Sequence, residues 1–205
     1  MALKFPISLV GKRGEPWYYE GQACADSIVD PSLNYLFSPS CVFRDSISGD
    51  IPYRWKFLEG VFSRLYIGTS CNVIGRESFY GGQIASLIIP ENVSVIGQGA
   101  FFNSTVSSLS FSGNGIEDIG VLAFQGSAIA GTLTIPSSII QIRDRAFRSC
   151  NNISRVEILA VNAPVIGSAF TFDMTGITEI HVPSNATGYA ASYQGKTVVY
   201  DLPAG

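Results

Sequence analysis

Residues 87–101 read Leu87-Ile88-Ile89-Pro90-Glu91-Asn92-Val93-Ser94-Val95-Ile96-Gly97-Gln98-Gly99-Ala100-Phe101. Leu87 and Ile89 stand two apart, so an extended chain sends both to the same side. Pro90 ends the extended run, because it has no N–H to give to another ladder rung. An Ile-Gly step and an Ala-Phe step follow. Read outward in both directions, this order returns. Phe79, Phe101, Phe124, Phe147 and Phe170 lie at spacings of 22, 23, 23 and 23 residues. The Ile-Gly steps are Ile74-Gly75, Ile96-Gly97, Ile119-Gly120 and Ile166-Gly167, with Arg143 in the glycine place after Ile142. Small residues precede the rings: Ser78, Ala100, Ala123, Ala146 and Ala169. The strand-like pairs are Leu65/Ile67, Leu87/Ile89, Leu109/Phe111, Leu133/Ile135, Val156/Ile158 and Ile180/Val182.

A fixed return of this length is the signature of a stacked repeat. One unit alone buries too few side chains to offset the entropy of ordering its backbone. Stacking supplies the missing burial and joins neighbouring strands, so the units depend on one another and on end caps. The register also accounts for two cysteines. Cys71, six residues after Leu65, matches Val93 and Ile139 and reads as a core position. Cys150, three after Phe147, matches Gly82, Ser104 and Ser127, a small-residue position on an inward turn. None of Cys24, Cys41, Cys71 and Cys150 forms a Cys-x-x-Cys pair, and His181 is the single histidine. Buried thiols are therefore expected in place of a zinc site.

Residues 87–101 and 133–150, the latter ending in Ala146-Phe147 and Cys150, carry a pattern that resembles the BspA-like class of leucine-rich repeats. The resemblance runs over about residues 58–183. It implies a repeat solenoid: a right-handed leucine-rich-repeat coil of short parallel β-strands, with irregular or short helical convex segments, capped at both ends. It also implies a role in adhesion or protein contacts. Members occur on microbial surfaces, and similar repeats occur in some phage proteins. Two departures, Arg143 for glycine and the insertion Ser112-Gly113-Asn114-Gly115, are expected to alter loop shape and leave the architecture intact.

The repeats, 58–183, are expected to sit between an aromatic-rich N-terminal cap or docking segment, 1–57, and a C-terminal cap, 184–205. The first segment holds Trp17 and Trp55, and Pro31, Pro39 and Pro52 exclude a long helix there. In the last, Thr197-Val198-Val199-Tyr200 has strand composition and is expected to close the sheet edge. Asp201 to Gly205 are expected to be loose.

The composition is 46% apolar and 14% charged, which predicts a folded chain. A net charge of -3 argues against a nucleic-acid binder, which needs a basic face. No apolar run is long enough to span a bilayer, and the start has no apolar core of a secretion signal. That predicts no membrane insertion and leaves two routes to the outside: a mature chain or a virion. One histidine gives little scope for a nucleophile-His-acid arrangement. His181, between Ile180 and Val182, is expected to be an exposed residue of the sheet surface. Glu117-Asp118 reads as a solvated pair. Neither a phosphate loop nor a nucleophile elbow occurs. The expectation is therefore no enzyme, no cofactor and no metal.

What remains is a face. Residues alternating with the core positions point outward, and solenoids bind along such a strip. The candidate contact residues there are Arg64, Tyr66, Ile88, Ser110, Thr134, Arg155, Glu157, Glu179 and His181. Trp17, Tyr18 and Tyr19 of the aromatic-rich segment form a second candidate. The leading expectation is a structural or recognition protein of a virion, such as a phage tail, baseplate or fibre component. Its partners would be other proteins of the assembly or a host receptor, with homo-oligomerisation open. A secreted or cell-surface bacterial adhesin domain is the alternative. A carbohydrate-active enzyme comes third, since glycosidases need only two acids.

Overall fold

The computed structural model describes residues 61–67, 72–168, 171–173, 176–193 and 195–205. The chain coils through alternating long and short strands. In order these are β1 (Val61–Tyr66), β2 (Val73–Ile74), β3 (Gln83–Pro90), β4 (Val95–Ile96), β5 (Ser108–Ser112), β6 (Asp118–Ile119) and β7 (Ala130–Ile135). Then come β8 (Gln141–Ile142), β9 (Asn152–Ile158), β10 (Val165–Ile166), β11 (Glu179–Pro183), β12 (Ser192–Tyr193) and β13 (Lys196–Leu202). No described residue is helical, so the convex segments are irregular turns.

The even-numbered strands up to β10 form one continuous parallel ladder, β10-β8-β6-β4-β2. It places Ile74, Ile96, Ile119, Ile142 and Ile166 in register. Glycine follows isoleucine in this ladder for a steric reason. A β-carbon on Gly97 would lie 2.8 Å from the Arg76 nitrogen, and one on Gly120 would lie 2.6 Å from the Gly97 carbonyl carbon. Arg143 breaks the rule and sends its guanidinium to Asp118 of the neighbouring strand, Nη2–Oδ2 2.7 Å.

The long strands register through Leu65, Leu87 and Leu109 on one side and through Leu133, Val156, Ile180 and Val198 on the other. They do not form one sheet. β1-β3-β5 and β12-β13-β11-β9-β7 are separate. The interruption coincides with the glycine-rich insertion, so its effect reaches beyond loop shape. Gly115 rests directly on the Glu91 carbonyl, where a β-carbon does not fit. Leu109 and Phe111, facing inward from β5, remain half-buried.

Between the ladders runs the core. Phe79, Phe101, Phe124, Phe147 and Phe172 stack with centroids 5.0, 5.1, 5.3 and 5.7 Å apart and planes within 4°. All five are fully buried. The last ring corrects the sequence reading, which named Phe170. Phe170 and Ala169 lie outside the described residues. The backbone shows why Phe172 is in register. Phe79, Phe101 and Phe124 donate their N–H to the carbonyls of Ala100, Ala123 and Ala146, and Phe147 donates to Thr171. Thr171, fully buried, thus holds the small-residue place, and the ring comes next.

The convex turns also bond from coil to coil. Gly81 donates to Phe102, Asn103 to Gln125, Gly126 to Arg148 and Ser149 to Asp173. These four donors share positive φ, from 52° to 73°, and each stands two residues after a core phenylalanine. The bend is therefore built the same way in these four coils, and glycine or asparagine suits it best. Cys150 occupies the predicted inward turn position. Its Sγ lies 3.1 Å from the Phe124 carbonyl, and burial pushes its thiol up to about 12. Ser127 makes the matching bond to the Phe101 carbonyl. Cys24, Cys41 and Cys71 lie outside the described residues.

Candidate recognition face

From β3 onward, the outward positions of the long strands line up as alternation requires. Arg64 pairs with Ser86 and Tyr66 with Ile88 by backbone register, and Ile88 in turn with Ser110. Ile88 is half-buried and Ser110 exposed. This half of the face, before the interruption, is short and uncharged at Ser86, Ser108, Ser110 and Ser112. Beyond the interruption, Thr132 pairs with Arg155, Thr134 with Glu157, and Glu157 with His181. The structure therefore brings Thr134, Arg155, Glu157, Glu179 and His181 together and separates them from Ile88 and Ser110. Trp17, Tyr18 and Tyr19 lie outside the described residues, as does the N-terminal cap or docking segment, 1–57.

The second half carries a hydrogen-bonded chain across four strands. Thr134 on β7 donates to Glu157 Oε2 at 3.2 Å. Arg155 Nε donates to Glu157 Oε1 at 2.7 Å. Arg155 Nη1 meets His181 Nε2 at 3.1 Å, and His181 Nδ1 meets Asp201 Oδ1 at 2.9 Å. A guanidinium has only donors, so Nε2 accepts and Nδ1–H donates to Asp201. Glu179 approaches His181 Nε2 at 3.8 Å. The group sets three carboxylates against one guanidinium.

His181 does not behave as the exposed surface residue expected from the sequence. It is only 8% exposed. The reason lies in β13, which adds parallel to β11 and places Val199 opposite His181. Between Val182↔Tyr200 and Pro183↔Leu202 the register slips, leaving Asp201 without a partner strand residue. Such a bulge re-aims a side chain, and here the carboxylate bonds the imidazole. Asp201 is held below the usual carboxylate range, first by the hydrogen bond from His181 and then by Arg155.

Asp201 is the residue that sequence reasoning missed. The expected strand at Thr197–Tyr200 forms, but it extends through Asp201 and Leu202. The tail expected to be loose is also tied: Asn185 Nδ2 donates to the Gly205 carbonyl at 3.3 Å, and the Gly205 N–H donates back to Asn185 Oδ1 at 3.1 Å. The alternation Thr197, Val199, Asp201 was the available signal; the proline and glycine after it concealed how far the strand runs. The expected solvated pair, Glu117-Asp118, splits: Glu117 is exposed, while Asp118 is bonded to Arg143. Among the described residues there is no cluster of three or more His, Cys, Asp or Glu side chains fit to hold a metal. No helix long and apolar enough to cross a membrane is found among the described residues.

Parallel coils of about 23 residues on one shared core define a repeat solenoid, a class in which side chains of a regular sheet form the working surface. The family model for the BspA type leucine-rich repeat region matches residues 72–193 in six copies, and the chain belongs to that family. Comparison with curated proteins found no match.

Proposed function

We propose that this chain is a non-catalytic recognition module that contacts a protein or surface partner through the outer face of its long strands. The observation that carries this is the face itself: a row of short polar side chains on β3 and β5 and, beyond the interruption, the bonded group Thr134–Glu157–Arg155–His181–Asp201, each set by strand register within its own sheet. Both nitrogens of His181 are occupied, one by Arg155 and one by Asp201, so neither is placed to take a proton from a substrate. A pre-ordered polar surface on a rigid core spends little entropy on binding. Membership in the BspA-type family supports a protein-interaction or adhesion role.

For its setting, a secreted or cell-surface adhesin domain is the reading that family membership favours. A phage virion component, in a tail, baseplate or fibre, is the other, and it rests on the sequence expectation alone. Antibody-labelled electron microscopy separates them: label on purified virions selects the second, label on intact cells the first.

The face is tested with the double substitution Ser110→Arg and Thr134→Arg. Both residues are exposed, so the melting temperature should hold. Proteins from the native source retained by the unaltered chain, identified by mass spectrometry, should be lost by the double variant. Equal retention by both would exclude this strip as the contact surface.

A further inference from the structure

Asn114-Gly115, in the insertion between β5 and β6, is the only Asn-Gly pair in the chain. We propose that Asn114 is a site of spontaneous covalent modification, at which its side-chain amide is lost through cyclisation onto the Gly115 nitrogen. Three observations carry this. Asn114 is exposed. No acceptor among the described residues takes the N–H of Gly115, so that nitrogen is not committed to a ladder. The fold also dictates the residue after the asparagine: a β-carbon at position 115 would overlap the Glu91 carbonyl, so glycine is retained and leaves the nitrogen unshielded by a side chain.

In the reaction the Gly115 nitrogen bonds to Asn114 Cγ and gives its proton to water. The Cγ–Nδ2 bond breaks as Nδ2 takes a proton from water, and ammonia leaves. Water then opens the five-membered succinimide at one carbonyl or the other, giving aspartate or isoaspartate. No electron donor or acceptor is involved. Isoaspartate routes the main chain through the side-chain carbon, lengthening it by one atom. Either product adds a negative charge beside Glu91, whose Oε2 lies 3.2 Å from the β-carbon position of Gly113. Both changes fall where the long-strand sheet is interrupted. The proposal is independent of which partner the outer face takes.

Other asparagines serve as internal references. Asn103 precedes serine, and Asn185 is clipped to Gly205. The full chain is incubated at mildly alkaline pH, native and denatured in parallel, then digested and read by chromatography with mass spectrometry. The peptide holding Asn114 should resolve into aspartate and isoaspartate forms, at a rate within about tenfold of the denatured chain, because the turn has no local protection to lose. Peptides holding Asn103 and Asn185 should lag well behind. The Asn114→Gln chain should give no such pair of products. A native rate more than about tenfold below the denatured one overturns the proposal. So does a product pair that persists in Asn114→Gln.

Discussion

The two strand ladders of this solenoid respond differently to the same irregularity. The short ladder and the phenylalanine column pass the 112–115 insertion without a break, and Phe101 and Phe124 remain 5.1 Å apart. The long-strand sheet divides there into three and five strands. The difference lies in how much room each face leaves. Along the short ladder a β-carbon at Gly97 or Gly120 meets the backbone of the preceding coil, so an extra residue has nowhere to go. On the long-strand face residues 112–114 of the insertion are exposed, and Leu109 and Phe111 of the adjoining strand are left half-buried. The interior sets the register, and the exterior absorbs the variation and carries the face.

Several substitutions press on this contrast. Phe124→Ala removes a fully buried ring from mid-column and should cost about 3–5 kcal/mol in denaturant unfolding. Leu109→Ala, at the interrupted edge, should cost only about 1–2 kcal/mol. Equal losses would mean that the edge is as tightly packed as the column. Gly120→Ala forces a β-carbon to within 2.6 Å of backbone and should cost about 1–3 kcal/mol by the same measure. Ser149→Gly acts in the opposite direction. Ser149 holds φ at 60° where other coils place Gly81 and Gly126, and relieving it should raise stability by up to about 1 kcal/mol. A gain from a mutation that adds no contact would show that the turn geometry, not the side chain, is under constraint.

The smallest effect is expected at the second half of the face. Asp201 has a folded pKa below its ordinary value, so its stabilisation is complete above the usual carboxylate range and is lost as pH falls through the lowered value. Melting temperatures of the unaltered chain and Asp201→Asn should therefore differ at neutral pH and converge in strong acid. A gap that persists unchanged into acid would mean that the His181–Asp201 bond does not hold β13 in place.

Much of this architecture is legible in the sequence alone. The inward residues Leu87, Leu133, Val156 and Ile180, four of the five rings, and the buried place of Cys150 all come from spacing, because one register of apolar residues satisfies every coil. The short ladder was legible only as recurrent Ile-Gly steps, since two-residue strands carry too little alternation to declare themselves. Phe172 escaped because the last coil departs from the spacing, and Thr171 can stand where alanine usually does. His181 and Asp201 escaped for a different reason. Alternation tells which face a residue points to, but not whether a later strand covers it. A bulge that redirects one carboxylate has no periodic trace.

Hydrogen exchange at the core phenylalanine amides tests most directly whether one unbroken column holds the coils together. Phe79, Phe101, Phe124 and Phe147 each donate to the next coil. All four should share one protection free energy, equal to that of global unfolding. If Phe79 and Phe101 exchange through a separate, cheaper opening from Phe124 and Phe147, the column is broken where the sheet is, and the interior is not continuous.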